Sequence, residues 1–168
     1  MEKASKFNRY VFTVIVLYVS WILITATTRT DELIVGIIVS LLVAIGTYDY
    51  LSIQGLRHLS LKRLWFLVIY IPYYLWQVIL ANFDMAYRVL APSMPIKPGF
   101  VIVHTDLKTD SGKLALANSI TLTPGTLTMD VKDDKLLVHW IYVKDRTIEG
   151  ATHEICGRFE GFLKVIFG

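Results

Sequence analysis

Residues Tyr10 to Thr28, YVFTVIVLYVSWILITATT, hold no charged side chain, and two further apolar runs follow within the first half of the chain. A run of about 20 apolar residues matches the thickness of a hydrocarbon core. That constrains the fold more than any other feature. In lipid every backbone N–H and C=O must be satisfied within the chain, so such a run has to be helical. The first run is too long for a signal-peptide core, no clean small-residue cleavage site follows it, and a second apolar run begins at once. Arg29-Thr30-Asp31-Glu32 is a very short polar connection and predicts a tight antiparallel hairpin. The second run, Leu33 to Tyr48, is short for a full span. It carries Gly36, Ser40 and Ala44 at small-xxx-small spacing, which lets helix backbones approach closely. Packing against the first helix is the preferred reading, and packing on a partner follows from the same grounds.

Asp49 to Arg63 is a polar link, and the third run, Leu64 to Phe83, is rich in Trp and Tyr with Pro72 inside it. Rings of this kind favour membrane interfaces, and Pro kinks a helix where its missing N–H breaks the ladder. The helical pattern continues to Ala91-Pro92. The first half is therefore expected to be a helical membrane region, 1–91, with helices over about 10–28, 33–48 and 64–90. Asp49, Arg63 and Asp84 sit at the edges of the runs and none carries an ionisable residue mid-span, which argues against this chain conducting ions alone. Gln77 is the one strongly polar side chain near a span centre. It reads as interhelical glue rather than as a relay.

Charge is unevenly placed. Residues 1–83 carry seven Lys/Arg against four Asp/Glu, while residues 84–168 carry ten of each. A nucleic-acid binder would concentrate its basic residues on a folded face, so no nucleic-acid partner is expected. The positive-inside rule draws both Lys3, Lys6, Arg9 and Arg57, Lys62, Arg63 to the cytoplasm. Three complete spans would then leave the second half outside, whereas the lone Cys156 mildly favours a reducing compartment. Incomplete insertion of the second run, or a violated rule at the N-terminus, would reconcile the two.

Ala91 to Gly99, with three prolines, reads as a stiff extended linker, 92–99. Residues 100–168 then predict a β-α-β-β-α order, a small two-layer α+β domain. The strands are Phe100–Val103, Thr126–Val131 and Lys135–Val143, with a turn at Lys132-Asp133-Asp134. Asp110 or Ser111 is expected to cap the first helix. Leu127, Met129 and Val131 are expected on one strand face. Ile148, Thr152, Ile155, Phe159, Phe162 and Ile166 mark one face of a last helix. Gly157 and Gly161 weaken that helix by about 1 kcal/mol each relative to Ala, which close packing on the sheet or a partner would explain. About seventy residues make a small core, so the domain is expected to lean on the membrane or on other subunits.

Candidate chemistry is sparse. His104, His139 and His153, with Asp106 and Glu154, match no metal-ligand spacing. No phosphate-binding loop or nucleophile elbow occurs. No catalytic, metal or cofactor residue is expected. A free-standing membrane enzyme would need His104, Asp106 and His139 to converge in a pocket. A direct ion-path role would need Asp49, Gln77 or Asp84 beside a polar partner.

The most specific stretch is Leu116–Val131, LANSITLTPGTLTMDV. Pro124-Gly125 is a turn signal, with Pro presetting φ and Gly accepting a positive one. Together with LANFDMAYRVLAP (Leu80–Pro92), IKPGFV (Ile96–Val101) and LLVHWI (Leu136–Ile141), this block resembles the E subunit of Mrp-type multisubunit monovalent cation/proton antiporters. Related subunits occur in membrane-bound hydrogenase and sulfane-reductase complexes, which contain an Mrp-like antiporter module. The resemblance implies an accessory, non-catalytic subunit in a Na+/H+ antiporter module of the cell membrane. Its partners would be small membrane subunits, large antiporter-like subunits and the lipid bilayer, and its C-terminal domain would be cytoplasmic. The family's block falls on Asn118, Thr121, Thr123, Pro124, Gly125 and Thr126, expected to form a structural or docking corner.

Overall fold

The computed structural model describes residues 5–27, 29–51 and 60–167. Most of the polar link, including Arg57, lies outside them. The chain divides into two compact units, Met1–Ser60 and Leu61–Gly168.

The first unit is an antiparallel helical hairpin of α1 (Lys6–Thr25) and α2 (Thr30–Leu51). Ser5 caps α1 by accepting from the Asn8 N–H at 3.3 Å. Asp31 and Glu32, expected in the connection, instead form the first turn of α2, where carboxylates complement the positive end of the helix dipole. Because the helix extends into polar residues at both ends, α2 has 22 residues rather than the 16 of its apolar run. At 1.5 Å per residue it is about 33 Å long. All three apolar helices are long and apolar enough to cross a membrane.

The second unit begins with α3 (Leu61–Leu90), which continues through Pro72. The segment after it turns at Pro92 and Ser93 rather than staying extended, with Met94 at φ +39°. Then follow β1 (Gly99–His104), α4 (Asp110–Thr121), β2 (Thr126–Lys132), β3 (Lys135–Trp140), α5 (Ile148–Ile155) and α6 (Gly157–Phe167). The sheet is antiparallel, in the order β1-β3-β2. This is the α+β arrangement expected, with the last helix broken at Cys156 into α5 and α6. Lys97 pairs with the chain beyond β3 through its N–H to the Ile141 carbonyl and its carbonyl from the Val143 N–H, so β3 ends earlier than its apolar pattern.

Alternation along the strands sends Val101, Val103, Leu136, Val138 and Trp140 into a core with Leu116, Ile120, Phe159, Leu163 and Ile166. The opposite sheet face leaves Phe100, Ile102, Leu127 and Leu137 exposed. Leu127, Met129 and Val131 do not share one face. The register shifts between Thr128 and Asp130, leaving Met129 unpaired. A bulge of one residue reverses the side to which later side chains point. Thr109, not Asp110 or Ser111, caps α4, because its extended backbone (φ −96°, ψ 143°) brings its hydroxyl to the Gly112 N–H at 3.2 Å. A Cβ on Gly157 or Gly161 would meet no atom within 4 Å, so packing within the described chain does not account for either glycine.

Candidate functional site

In the hairpin, the small-residue stripe of α2 faces α1. Gly36 is buried, and a Cβ there would lie 2.5 Å from Cδ1 of Trp21. The same indole donates its N–H to the Glu32 carbonyl at 3.2 Å. Ser40 and Ala44 are buried one and two turns on. The sequence reading missed what closes the other end. Arg9, only 6% exposed, pairs with Asp49 at 3.0 Å and donates to the Asp49 carbonyl at 2.9 Å. A guanidinium there satisfies terminal carbonyls of α2 and opposes its negative dipole end. A basic residue just before the first apolar run and an acidic one just after the second was the available signal.

The Thr-rich block forms the corner between α4 and β2. The last carbonyls of a helix lack intrahelical partners, and here threonine hydroxyls supply many of the bonds. Thr123 donates to the Ser119 carbonyl at 2.7 Å, Thr126 to the Ile120 carbonyl at 2.7 Å and Thr128 to the Ala117 carbonyl at 3.2 Å. Thr121 accepts from the Thr128 N–H at 3.1 Å. The Asn118 carbonyl accepts from the Leu122 N–H, while Asn118 and Thr121 are otherwise exposed. Gly125 takes φ +95°, and a Cβ there would approach Ile141 Cγ2 at 3.1 Å and Met85 Sδ at 3.4 Å. Glycine is thus required both by the turn and by the closeness of β3's continuation and α3.

Helix α3 seats on this corner. Phe66, Tyr70 and Tyr73 surround the Phe162 ring, with centroids 6.4, 5.8 and 4.9 Å away, and Tyr74 meets Phe159 at 5.9 Å. The Tyr70 hydroxyl lies 2.6 Å from Ser119 Oγ, which itself donates to the Ala115 carbonyl at 2.7 Å. Ser119 has one proton, so Tyr70 is the donor. Three tyrosines expected at a membrane interface are therefore packed against the α+β domain, while Trp65 and Trp76 remain exposed.

Further along α3, Gln77, Ala81, Asp84 and Arg88 face Thr123–Thr126, Tyr142, Lys144, Glu154 and Arg158 across a cleft of ≈ 340 Å³. Gln77 lines this cleft. Arg88 holds Asp84 through two bonds of 2.7 and 3.1 Å, donates to the Pro95 carbonyl at 2.8 Å and lies 4.1 Å over the Tyr142 ring. Lys144 donates to Glu154 at 2.8 Å, and that bond holds the Glu154 carboxyl below its usual range. The cleft's charges are thus largely paired with one another.

Of the acid/base candidates, His104 and Asp106 approach each other, Nδ1 to Oδ1 at 3.9 Å, but His139 does not join them. His104 Nε2 lies 2.6 Å from Asp134, and that hydrogen bond lowers the Asp134 pKa. Asp106 pairs with Lys164 at 2.7 Å, which lowers its pKa. His139 stands against Phe100 at the other end of the β1–β3 register. Among the described residues no group of three or more His, Cys, Asp or Glu could hold a metal.

Apolar helices of membrane-crossing length joined to a small α+β domain define a membrane protein. The family model described as Na+/H+ ion antiporter subunit matches residues 14–166. The chain is 33% identical over 134 residues to the E subunit of the Na+/H+ antiporter of Alkalihalophilus pseudofirmus, covering 79% of this chain and 82% of that one. It is 35% identical over 128 residues to the E1 subunit of the Na+/H+ antiporter of Staphylococcus aureus, covering 75% and 78%. A chain in the solved structure of the membrane-bound sulfane sulfur reductase, an archaeal respiratory membrane complex, superposes with TM-score 0.88 at 50% identity, covering 95% of this chain and 99% of that one. The protein belongs to the family of Na+/H+ antiporter E subunits.

Proposed function

We propose that this chain is an accessory, non-catalytic subunit that supports assembly and ion transport in a Na+/H+ antiporter module without carrying the main ion path. One observation carries the reading: the polar groups of the signature corner are bonded to the chain's own backbone, Thr123, Thr126 and Thr128 to carbonyls of α4. Groups engaged in this way build a surface and are poor candidates for a relay. Asn118 and Thr121, exposed at the rim, are the side chains offered to a neighbouring protein of the complex. The charges nearest the apolar helices fit the same role, since Asp49 is held by Arg9 and Asp84 by Arg88.

The 50% identity to a chain of the sulfane sulfur reductase, against 33% and 35% to antiporter subunits, favours a setting inside a respiratory complex that couples redox chemistry to ion pumping. The test is purification in mild detergent through a tag on this chain, with mass spectrometry of what co-elutes. Large antiporter-like subunits are expected. Co-elution of hydrogenase-like or iron–sulfur subunits would establish the respiratory setting, and their absence the stand-alone antiporter. A stable lone monomer would sink the proposed role in a complex.

A further inference from the structure

We propose that only α1 and α2 cross the membrane, and that α3 lies in the headgroup–acyl interface on the side where the chain begins, with the α+β domain seated on its back. This rests on the chain being a membrane protein and not on its role within a complex.

By length and composition α3 qualifies as a span. Its packing argues against a crossing. Phe66, Tyr70, Tyr73 and Tyr74 bind α6, Tyr70 binds α4, and Gln77, Ala81, Asp84 and Arg88 face the cleft. These contacts run from Phe66 to Arg88. A span needs about 20 residues, and any such window within the 30 residues of α3 includes most of them. Crossing would carry the attached domain to bilayer depth. The irregular turn Leu122–Gly125 would arrive there, and lipid does not admit exposed irregular backbone. So would Arg158, Glu160 and Lys164 of α6, and a charge near the bilayer centre costs at least about 2.5 kcal/mol.

The free side of α3 is as apolar as a span. Leu61, Leu64, Trp65, Val68, Ile71, Leu75, Trp76, Ile79 and Phe83 are all exposed. At about 100° per residue they cluster roughly 180° from Phe66, Tyr70, Gln77, Ala81 and Arg88. An apolar stripe with Trp, opposite a covered face and led in by Lys62 and Arg63, is the pattern of a helix lying in the plane of the interface. The basic start suits anionic headgroups.

Charge parity points the same way. Two crossings return the chain to its starting side, so Lys6, Arg9, Lys62 and Arg63 all fall on one side, as the positive-inside rule asks. Between the two spans lies one basic residue, Arg29, already paired with Asp31 at 2.8 Å. Neither an incomplete second helix nor a reversed N-terminus is then required, and the α+β domain is cytoplasmic.

The full chain, purified from its membrane with any subunits that accompany it and placed in nanodiscs of phosphatidylcholine and phosphatidylglycerol, tests this with a nitroxide at Trp65→Cys, Val68→Cys, Ile79→Cys or Phe83→Cys, one at a time. Collision with oxygen and with a water-soluble nickel chelate reports depth. The expected result is one shallow depth, about 5–10 Å below the headgroups, at all four positions. A depth running through the bilayer midplane between Trp65 and Phe83 would overturn the proposal. Low collision with both reagents, meaning a protein partner on the stripe, would overturn the lipid assignment. Ser60→Cys and Ser93→Cys, both at exposed positions flanking α3, give a second readout with an impermeant maleimide on sealed cells. Both should be protected until the cells are permeabilised; labelling of one alone places them on opposite sides and refutes the topology.

Discussion

The hydrogen bond between Tyr70 and Ser119 should hold α3 on the domain, and a double-mutant cycle measures it. Tyr70→Phe keeps the ring between Tyr74 and Phe162 but removes the proton donated at 2.6 Å. Ser119 still donates to the Ala115 carbonyl, so what is lost is one buried bond, about 1–1.5 kcal/mol. Ser119→Ala removes the acceptor and leaves the Tyr70 hydroxyl buried without it, at about 1–3 kcal/mol. In the double variant neither orphan remains. Its cost should fall short of the sum by about 1 kcal/mol, the coupling typical of residues in direct contact. Thermal melting of the purified protein reads this directly. For a chain of this size each kcal/mol shifts Tm by about 2–4 °C, so Tyr70→Phe should lower Tm by roughly 2–6 °C. Additive shifts, with coupling below about 0.3 kcal/mol, would refute the bond as the tie between α3 and α4.

Gly125→Ala forces a side chain onto φ +95° and towards Ile141, and should destabilise by about 1–3 kcal/mol, seen as a lowered Tm. Gly36→Val would drive a branched side chain into the Trp21 ring and should separate α1 from α2, read as loss of a disulfide crosslink engineered between those helices. Burial pushes the Cys156 thiol up to about 12, so maleimide at pH 7.5 should leave it unmodified until the domain is denatured. Asp106, Asp134 and Glu154 all have lowered pKa values, through bonds from Lys164, His104 and Lys144. Their contribution is present above the unfolded carboxylate range near pH 4 and lost as pH falls through the lower folded values. Melting temperature should therefore drop below about pH 4, and an unchanged value from pH 5 to pH 3 would contradict those pairings.

Much of this architecture is legible in the sequence because it follows from local rules. Uninterrupted apolar runs become helices wherever the backbone must satisfy itself. The Pro124-Gly125 pair becomes a turn because Gly125 alone accepts the positive φ. Which face of β1 and β3 is buried was not legible, because FVIV and LLV are continuously apolar and the helices packed on Val101, Val103, Leu136 and Val138 decide it. The signature block marks the corner, although its chemistry, threonine hydroxyls closing the end of α4, depends on how β2 returns beside that helix. What stayed illegible depends on one residue's register or on distant partners. The bulge at Met129 turns Val131 away from Leu127, and no period-2 pattern announces it. The pairing of Arg9 with Asp49 needs the hairpin closed before the two ends meet.

The third helix marks the boundary between the two kinds of information. That residues 61–90 form a long apolar helix with aromatic rings follows from the segment alone, because length, hydropathy and 3.6-residue spacing are local properties. Which rings face protein depends on partners far away in the chain. Tyr70, Tyr73 and Tyr74 meet Phe159, Phe162 and Ser119, which lie more than forty residues away in the chain. Burial against a folded domain and burial in lipid both reward apolar side chains equally, since both remove them from water. Composition therefore cannot tell them apart, and the contacts can.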